Sequence, residues 1–214
     1  MQSEESAVSF QDVMRGRHSV RVYDPSARIS DGELRQLIAE ATLAPSAHNL
    51  QTWRYLVVTD PALRAEILPL AGGQQQVVEA SALILVLGDV EAFSPAWLER
   101  ILDKAVREGK LTNEEREEQL GEAEGYRLAH SPAWLRDVLL INGALTAMQL
   151  LLAARARGWD TVPMLGYDQE ALQRLLHIPP NLVQVLMIAL GRAAETPRAT
   201  VRLDPSDVTF WNRL

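Results

Sequence analysis

The stretch from Val138 to Ala154, VLLINGALTAMQLLLAA, constrains this chain more than any other. It lies inside a helix of about residues 133–157 that Ser131-Pro132 opens and Gly158 ends. A surface helix needs only one apolar stripe, whereas this one is apolar nearly all round and must be covered on most sides. It therefore belongs at the centre of a domain or in a core shared by two copies. Asn142, Gly143 and Gln149 interrupt it, and their polar groups need partners there.

The other segments supply that cover. Residues 6–16 read as a short helix on Val8, Val13 and Met14, and residues 17–24 as an extended segment with alternating Val20 and Val22, broken by Pro25. Ser30 and Glu33 form a capping box for a helix from Asp31 to about Leu43, with Leu34, Leu37, Ile38 and Ala41 inward. Strands are predicted over 54–59, 81–89, the stretch from Thr161 toward Tyr167, and 181–191. The second is a continuous apolar run, as expected of a buried central strand. Helices are expected over 62–70, within 95–130 with Thr112 as a cap, and from Asp168 to about His177. From Arg192 onward the chain reads as an irregular arm. The order gives an α+β architecture in one domain, a mixed central sheet flanked by helices. Neither GxGxxG nor GxxxxGK[ST] occurs, so the usual nucleotide loops are not expected.

Composition narrows the function. The 214 residues are long enough for one sizeable core. There is no cysteine, hence no disulfide, no thiol nucleophile and no cysteine metal site. The four histidines, at 18, 48, 130 and 177, have no ligand spacing, so metal catalysis is not expected. A net charge of −7 disfavours a nucleic-acid partner. No signal-peptide core and no run of about 18 apolar residues is visible, which points to the cytoplasm and away from a membrane span. Yet arginines cluster twice, at 15, 17 and 21 and at 192, 198 and 202. They read either as solvated patches or as a site for a specific small anion.

Four segments could carry chemistry. In extended Arg17-His18-Ser19-Val20-Arg21, residues 17, 19 and 21 project to one side and suit a phosphate or an electron-rich ring edge. The loop Pro45-Ser46-Ala47-His48-Asn49-Leu50-Gln51 packs a hydroxyl, two amides and an imidazole between rigid elements. The run Pro163-Met164-Leu165-Gly166-Tyr167-Asp168 ends a strand where backbone N–H groups are free and Gly166 allows close approach. The fourth is the arm with Arg198 and Arg202. Each segment alone also fits ordinary turn, edge or tail chemistry.

Taken in order, RHSVR, APSAHNLQTWRYLVV, the apolar helix, GWDTVPMLGYD and LGRAAETPRATVRLDP resemble the nitroreductase family of flavoproteins over about residues 10–210. The resemblance implies a homodimer with the long helix at its interface and FMN bound between subunits. It places Arg17, His18 and Ser19 on the FMN phosphate and ribityl chain, and Arg21 near the N1/O2 edge of the ring. Pro45, Ser46 and Asn49 would come from the partner subunit, with Asn142 beside them. The strand end, Pro163 to Gly166, would offer the N–H groups of Leu165 and Gly166 to flavin N5 and O4, and Arg198 and Arg202 would close on the phosphate. Gln74 and Gln76 lie near a region that touches the ribityl chain in the family.

The implied activity is ping-pong hydride transfer from NAD(P)H through the flavin to small electron-poor acceptors such as nitroaromatics, quinones or activated alkenes. It needs no catalytic side chain, because the cofactor carries the chemistry. The segment 91–130 is expected to cover the flavin, with Trp97, Tyr126 and Trp134 either lining the pocket or anchoring helices. Thr52 replaces the usual proline, Thr200 a common lysine, and Leu165 a side chain that is acidic in some members. Two other readings stay open: a flavin-binding relative with different redox chemistry, and a non-catalytic flavin-binding module.

Overall fold

The computed structural model describes residues 9–213; Val8 and the expected start of the first helix at residue 6 lie outside them. Eight helices and four strands are seen among these residues. The strands are β1 (Trp53–Val58), β2 (Ala82–Asp89), β3 (Asp160–Met164) and β4 (Leu182–Gly191). They form one sheet in the order β1-β2-β4-β3, antiparallel at every strand pair. The expected mixed sheet thus keeps a single parallel link, the isolated bridge between Ser19 and Thr161. Pro163 explains why that link goes no further. It sits two residues beyond Thr161 on the same outer edge of β3 and has no N–H to extend the ladder.

Both faces of the sheet are covered, and the period-2 alternation of β2 assigns them. Leu83, Leu85 and Leu87 pack with α3 (Pro61–Leu70), α4 (Gln76–Glu79) and α8 (Gln169–Leu175). Ala82, Ile84 and Val86 pack with α2 (Asp31–Ala41) and α7 (Pro132–Ala156). That is why β2 reads as continuously apolar rather than alternating. Helix α1 (Phe10–Gly16) lies along α7, while α5 (Pro95–Arg107) and α6 (Asn113–Ala129) form a third, smaller core with Leu50, Val138 and Leu139.

The local signals in the sequence act as read. Both arms of the Ser30–Glu33 capping box form, as do those of Thr112–Glu115, and Ser131 and Asp168 cap α7 and α8. By length and composition α7 could cross a membrane; in this fold half of its most apolar stretch is buried against the sheet and α2. Gly143 permits the approach, since a Cβ there would sit 2.6 Å from Val185 Cγ2 on β4. The side of α7 left open carries Ile141, Leu145 and Met148.

Candidate active site

The segment after α1 is fixed by alternation. Val20 is buried in the core, and its N–H donates to the Thr161 carbonyl at 3.1 Å. Ser19 and Arg21 therefore face outward. The extended run then bends at Val22, so Val22 is exposed rather than packed beside Val20, and Tyr23 takes the buried position. Its hydroxyl donates to the Ala189 carbonyl at 3.1 Å, and its ring fills the space that a Cβ at Gly191 would need. Burial raises the Tyr23 phenol far above its usual pKa. Asp24 N–H to Arg192 O and Ala194 N–H to Val22 O then tie this segment to the chain leaving β4. Ser19 and Arg21 consequently share a cleft with Glu195, Thr196, Pro197 and Arg198.

Among the described residues neither Arg21 nor Arg198 has an ion-pair partner, although Glu195 lines the same cleft. Two of the six clustered arginines thus meet here. Arg192 is used structurally instead, lying 4.3 Å over the Trp159 ring and donating to the Gly158 carbonyl. Arg17 caps the end of α1 and His18 follows it, both half-buried and outside the cleft. Arg202 is exposed and donates to its own Val201 carbonyl.

Beyond Pro163 the outer edge of β3 runs into Leu165 and Gly166. Leu165 is 68% exposed, and neither residue's N–H has an acceptor among the described residues. The Gly166 carbonyl accepts from Gln74 Nε2 at 3.0 Å. A Cβ at Gly166 would meet only that nitrogen, at an ordinary 3.7 Å, and the residue has no positive φ. Neither backbone strain nor internal packing demands a glycine here.

A second cleft, sharing no lining residue with the first, opens at the loop before β1. Pro45, Ser46, Ala47 and Asn142 line it together with Tyr126, Trp134, Ile141 and Leu145. His48, Asn49 and Gln51 all adopt positive φ (48°, 53° and 48°). Three such side chains in four residues store strain of order 1–3 kcal/mol each, which persists only where the surroundings over-determine it. The surroundings here do so. Asn142 Oδ1 accepts from Ala47 N–H at 3.3 Å, Ser46 Oγ accepts from Gln51 N–H at 3.0 Å, and Trp97 Nε1 donates to the Leu50 carbonyl at 2.8 Å. Asn142 Nδ2 donates to Thr52 Oγ1 at 3.2 Å, so the threonine standing in place of proline completes the buried amide.

The charged helical segment meets this loop through rings. Tyr126 packs edge-on against His48 at 4.6 Å and Trp134 at 5.0 Å, and His130 stacks on Trp134 at 3.7 Å. Tyr126 and Trp134 line the cleft. Trp97 is an anchor, covered by Arg54 at 4.0 Å, which in turn pairs with Asp89 at 2.8 Å. Sequence reasoning passed over His48 and His130 as members of this cluster. The four-residue spacing of Tyr126, His130 and Trp134 was the available signal. Thr52 stood out only as a departure from the family pattern and Glu195 carried no signal, because their roles arise from contacts distant in sequence.

An antiparallel sheet with a buried crossing helix, an arginine-bearing cleft on the sheet edge and a strained polar loop define an α+β fold of nitroreductase type. A family model described as the nitroreductase family matches residues 14–192, and the chain belongs to that family. YodC of Bacillus subtilis, named as an NAD(P)H nitroreductase, is 38% identical over 94% of this chain and 97% of its own length. A protein named as a CLA biosynthesis enone reductase, from Lactiplantibacillus plantarum, is 36% identical over 92% of each chain. A crystal structure described as a nitroreductase in complex with FMN, from Exiguobacterium sibiricum, superposes with a TM-score of 0.92 at 37% identity, covering 97% of this chain and 99% of that one.

Proposed function

We propose that this chain is an FMN-dependent oxidoreductase that takes hydride from NAD(P)H and passes it, in a ping-pong cycle, to a small electron-poor acceptor. The observation that carries the reading lies along the outer edge of β3. Arg21 and Arg198, without ion-pair partners among the described residues, sit at one end with Ser19, and the N–H groups of Leu165 and Gly166, without acceptors among the same residues, at the other. Guanidinium groups suit a phosphate that is close to a dianion, as assigned to Arg198, or an electron-rich ring edge, as assigned to Arg21. Free N–H groups, beside a glycine that the chain's own packing does not require, suit the polar edge of a flat ring. The residues present therefore fit FMN. The FMN-bound neighbour and the relative named as an NAD(P)H nitroreductase support the same cofactor and donor.

In this reading Arg17, His18, Ser19, Arg198 and Arg202 hold the phosphate and ribityl chain. Arg21 places a fixed charge at the N1/O2 edge, and Leu165 and Gly166 present donors to N5 and O4. Bound FMN would supply the hydride-accepting centre and return the electrons to the acceptor. Pro45, Ser46, Asn49 and Asn142 would reach the cofactor from a second copy. The exposed apolar stripe Ile141, Leu145 and Met148, together with the arm's Val201, Phe210 and Trp211, supports such a homodimer. The low-polarity cleft under Tyr126 favours small uncharged acceptors and supports residues 91–130 as its cover. Nitroaromatics and quinones fit, and the relative named as an enone reductase favours adding activated alkenes.

Purified protein should be yellow, carry about one FMN per chain, and bleach on anaerobic addition of NAD(P)H. Colourless protein that cannot be reconstituted would refute the reading. Bound flavin that no hydride donor reduces would leave a binding module in its place.

A further inference from the structure

The amide of Gln74 has little capacity left for a ligand. Its Nε2 donates to the Ala71 carbonyl at 2.9 Å and to the Gly166 carbonyl at 3.0 Å, which uses both hydrogens. Its Oε1 accepts from Gln76 Nε2 at 2.9 Å. Gln76 is buried, and by donating it fixes which way round the Gln74 amide lies. A flip would set the Gln74 oxygen against two carbonyls and its nitrogen against another nitrogen. The two glutamines form a directed relay that ends on the peptide following Gly166.

That turn needs a restraint. Glycine is the residue most able to change its backbone angles, and a donor is useful only if held where it is needed. Three bonds pin the turn: Gln74 on the Gly166 carbonyl, Tyr167 N–H on the Leu165 carbonyl at 3.1 Å, and Asp168 N–H on the Leu70 carbonyl at 2.8 Å. Two of them come from Leu70, the last residue of α3, and Gln74 in the connection from α3 to α4. Arg64 of α3 is buried and donates to the carbonyls of Val78 in α4 and Ala80 just after it, tying together the two helices that flank that connection.

We propose that Gln74, oriented by Gln76, is a positioning residue that sets the Leu165–Gly166 turn and thereby the relative affinity of the site for the two redox states of its flavin. The proposal rests on the FMN reading above and departs from a direct contact of Gln74 with the ribityl chain. The turn's N–H groups matter because flavin N5 accepts a hydrogen bond when oxidised and bears a proton once it has taken hydride. Small changes in where the donors point therefore act unequally on the two states.

The test uses Gln74→Ala and Gln76→Leu in the holoprotein and in the apoprotein. In the holoprotein the ratio of affinities for oxidised and reduced FMN should change about tenfold, read as a midpoint shift of ~30 mV for a two-electron couple. The dissociation constant of oxidised FMN should stay within about threefold. In the apoprotein, hydrogen exchange at the Tyr167 amide should quicken about tenfold. A weakened FMN complex with an unmoved potential would make Gln74 a direct ligand and overturn the proposal, as would unchanged exchange at Tyr167. Wild-type protein that takes up no FMN would sink the flavin reading instead, and the exchange arm would still decide whether Gln74 pins the turn.

Discussion

Gly143, in the middle of the central helix, faces Val185 of β4 so closely that a methyl group on it would lie 2.6 Å from one valine methyl and 2.9 Å from the other. The pair sets how near α7 lies to the sheet. Gly143→Ala should lower stability by about 1–2 kcal/mol, since overpacking costs roughly 1–3 kcal/mol and better helix propensity returns up to about 1. Gly121→Ala in α6, where nothing lies within 4 Å, should instead raise it by up to about 1 kcal/mol. Urea denaturation of both variants checks the contrast; equal effects would contradict it.

Arg21 and Arg198, which have no ion-pair partner among the described residues, are expected to bind the cofactor, Arg198 at its phosphate and Arg21 at the N1/O2 edge of its ring. Arg21→Gln and Arg198→Gln should each weaken FMN binding by about 10–100-fold, the equivalent of a charge-assisted hydrogen bond worth roughly 1.5–3 kcal/mol. Flavin fluorescence titration reads the loss directly. If both variants bind within about twofold of wild type, the cleft does not hold the cofactor.

The open stripe of α7 makes a prediction about assembly. Ile141→Glu combined with Leu145→Glu would put two carboxylates into a dimer interface, at a cost of several kcal/mol. Sedimentation velocity should show a dimer become a monomer, and FMN should be lost with it. A double variant that stays dimeric places the interface elsewhere.

Burial pushes the Tyr55 and Tyr167 phenols up to about 12. Below about pH 9 both are neutral, folded or unfolded, and contribute no pH dependence. Between pH 10 and 12 the unfolded chain loses phenol protons that the folded chain keeps, so stability falls as pH rises, by about 2–3 kcal/mol per phenol at the upper end. The buried Tyr167 hydroxyl has no hydrogen-bond partner among the described residues, so Tyr167→Phe should cost almost nothing at pH 7 and flatten the alkaline decline. Denaturation midpoints at pH 8, 10 and 11 test this; a Tyr167→Phe protein with the wild-type pH slope would contradict it.

By itself the sequence determined the elements and their faces. Caps at Ser30, Thr112, Ser131 and Asp168 act between residues three apart. The inward positions of α2 and the buried run of β2 follow from periods of 3.6 and 2. Such signals are local, acting between residues a few positions apart, so they can be read without knowing the fold. The resemblance named the residues of the site, but it could not say which of them one chain brings together. Tertiary structure alone decided that Arg21 meets Arg198 while Arg192 is held by Trp159, and that the run at residues 17–24 bends at Val22 to bury Tyr23. It also decided that Thr52 completes Asn142, that the loop at His48 is strained, and that Gln74 ends on Gly166. Each of these pairs is separated by dozens of residues or depends on a backbone angle that no side-chain pattern encodes. They form because burial leaves a polar group needing one partner, and only the packed chain determines which partner is within reach.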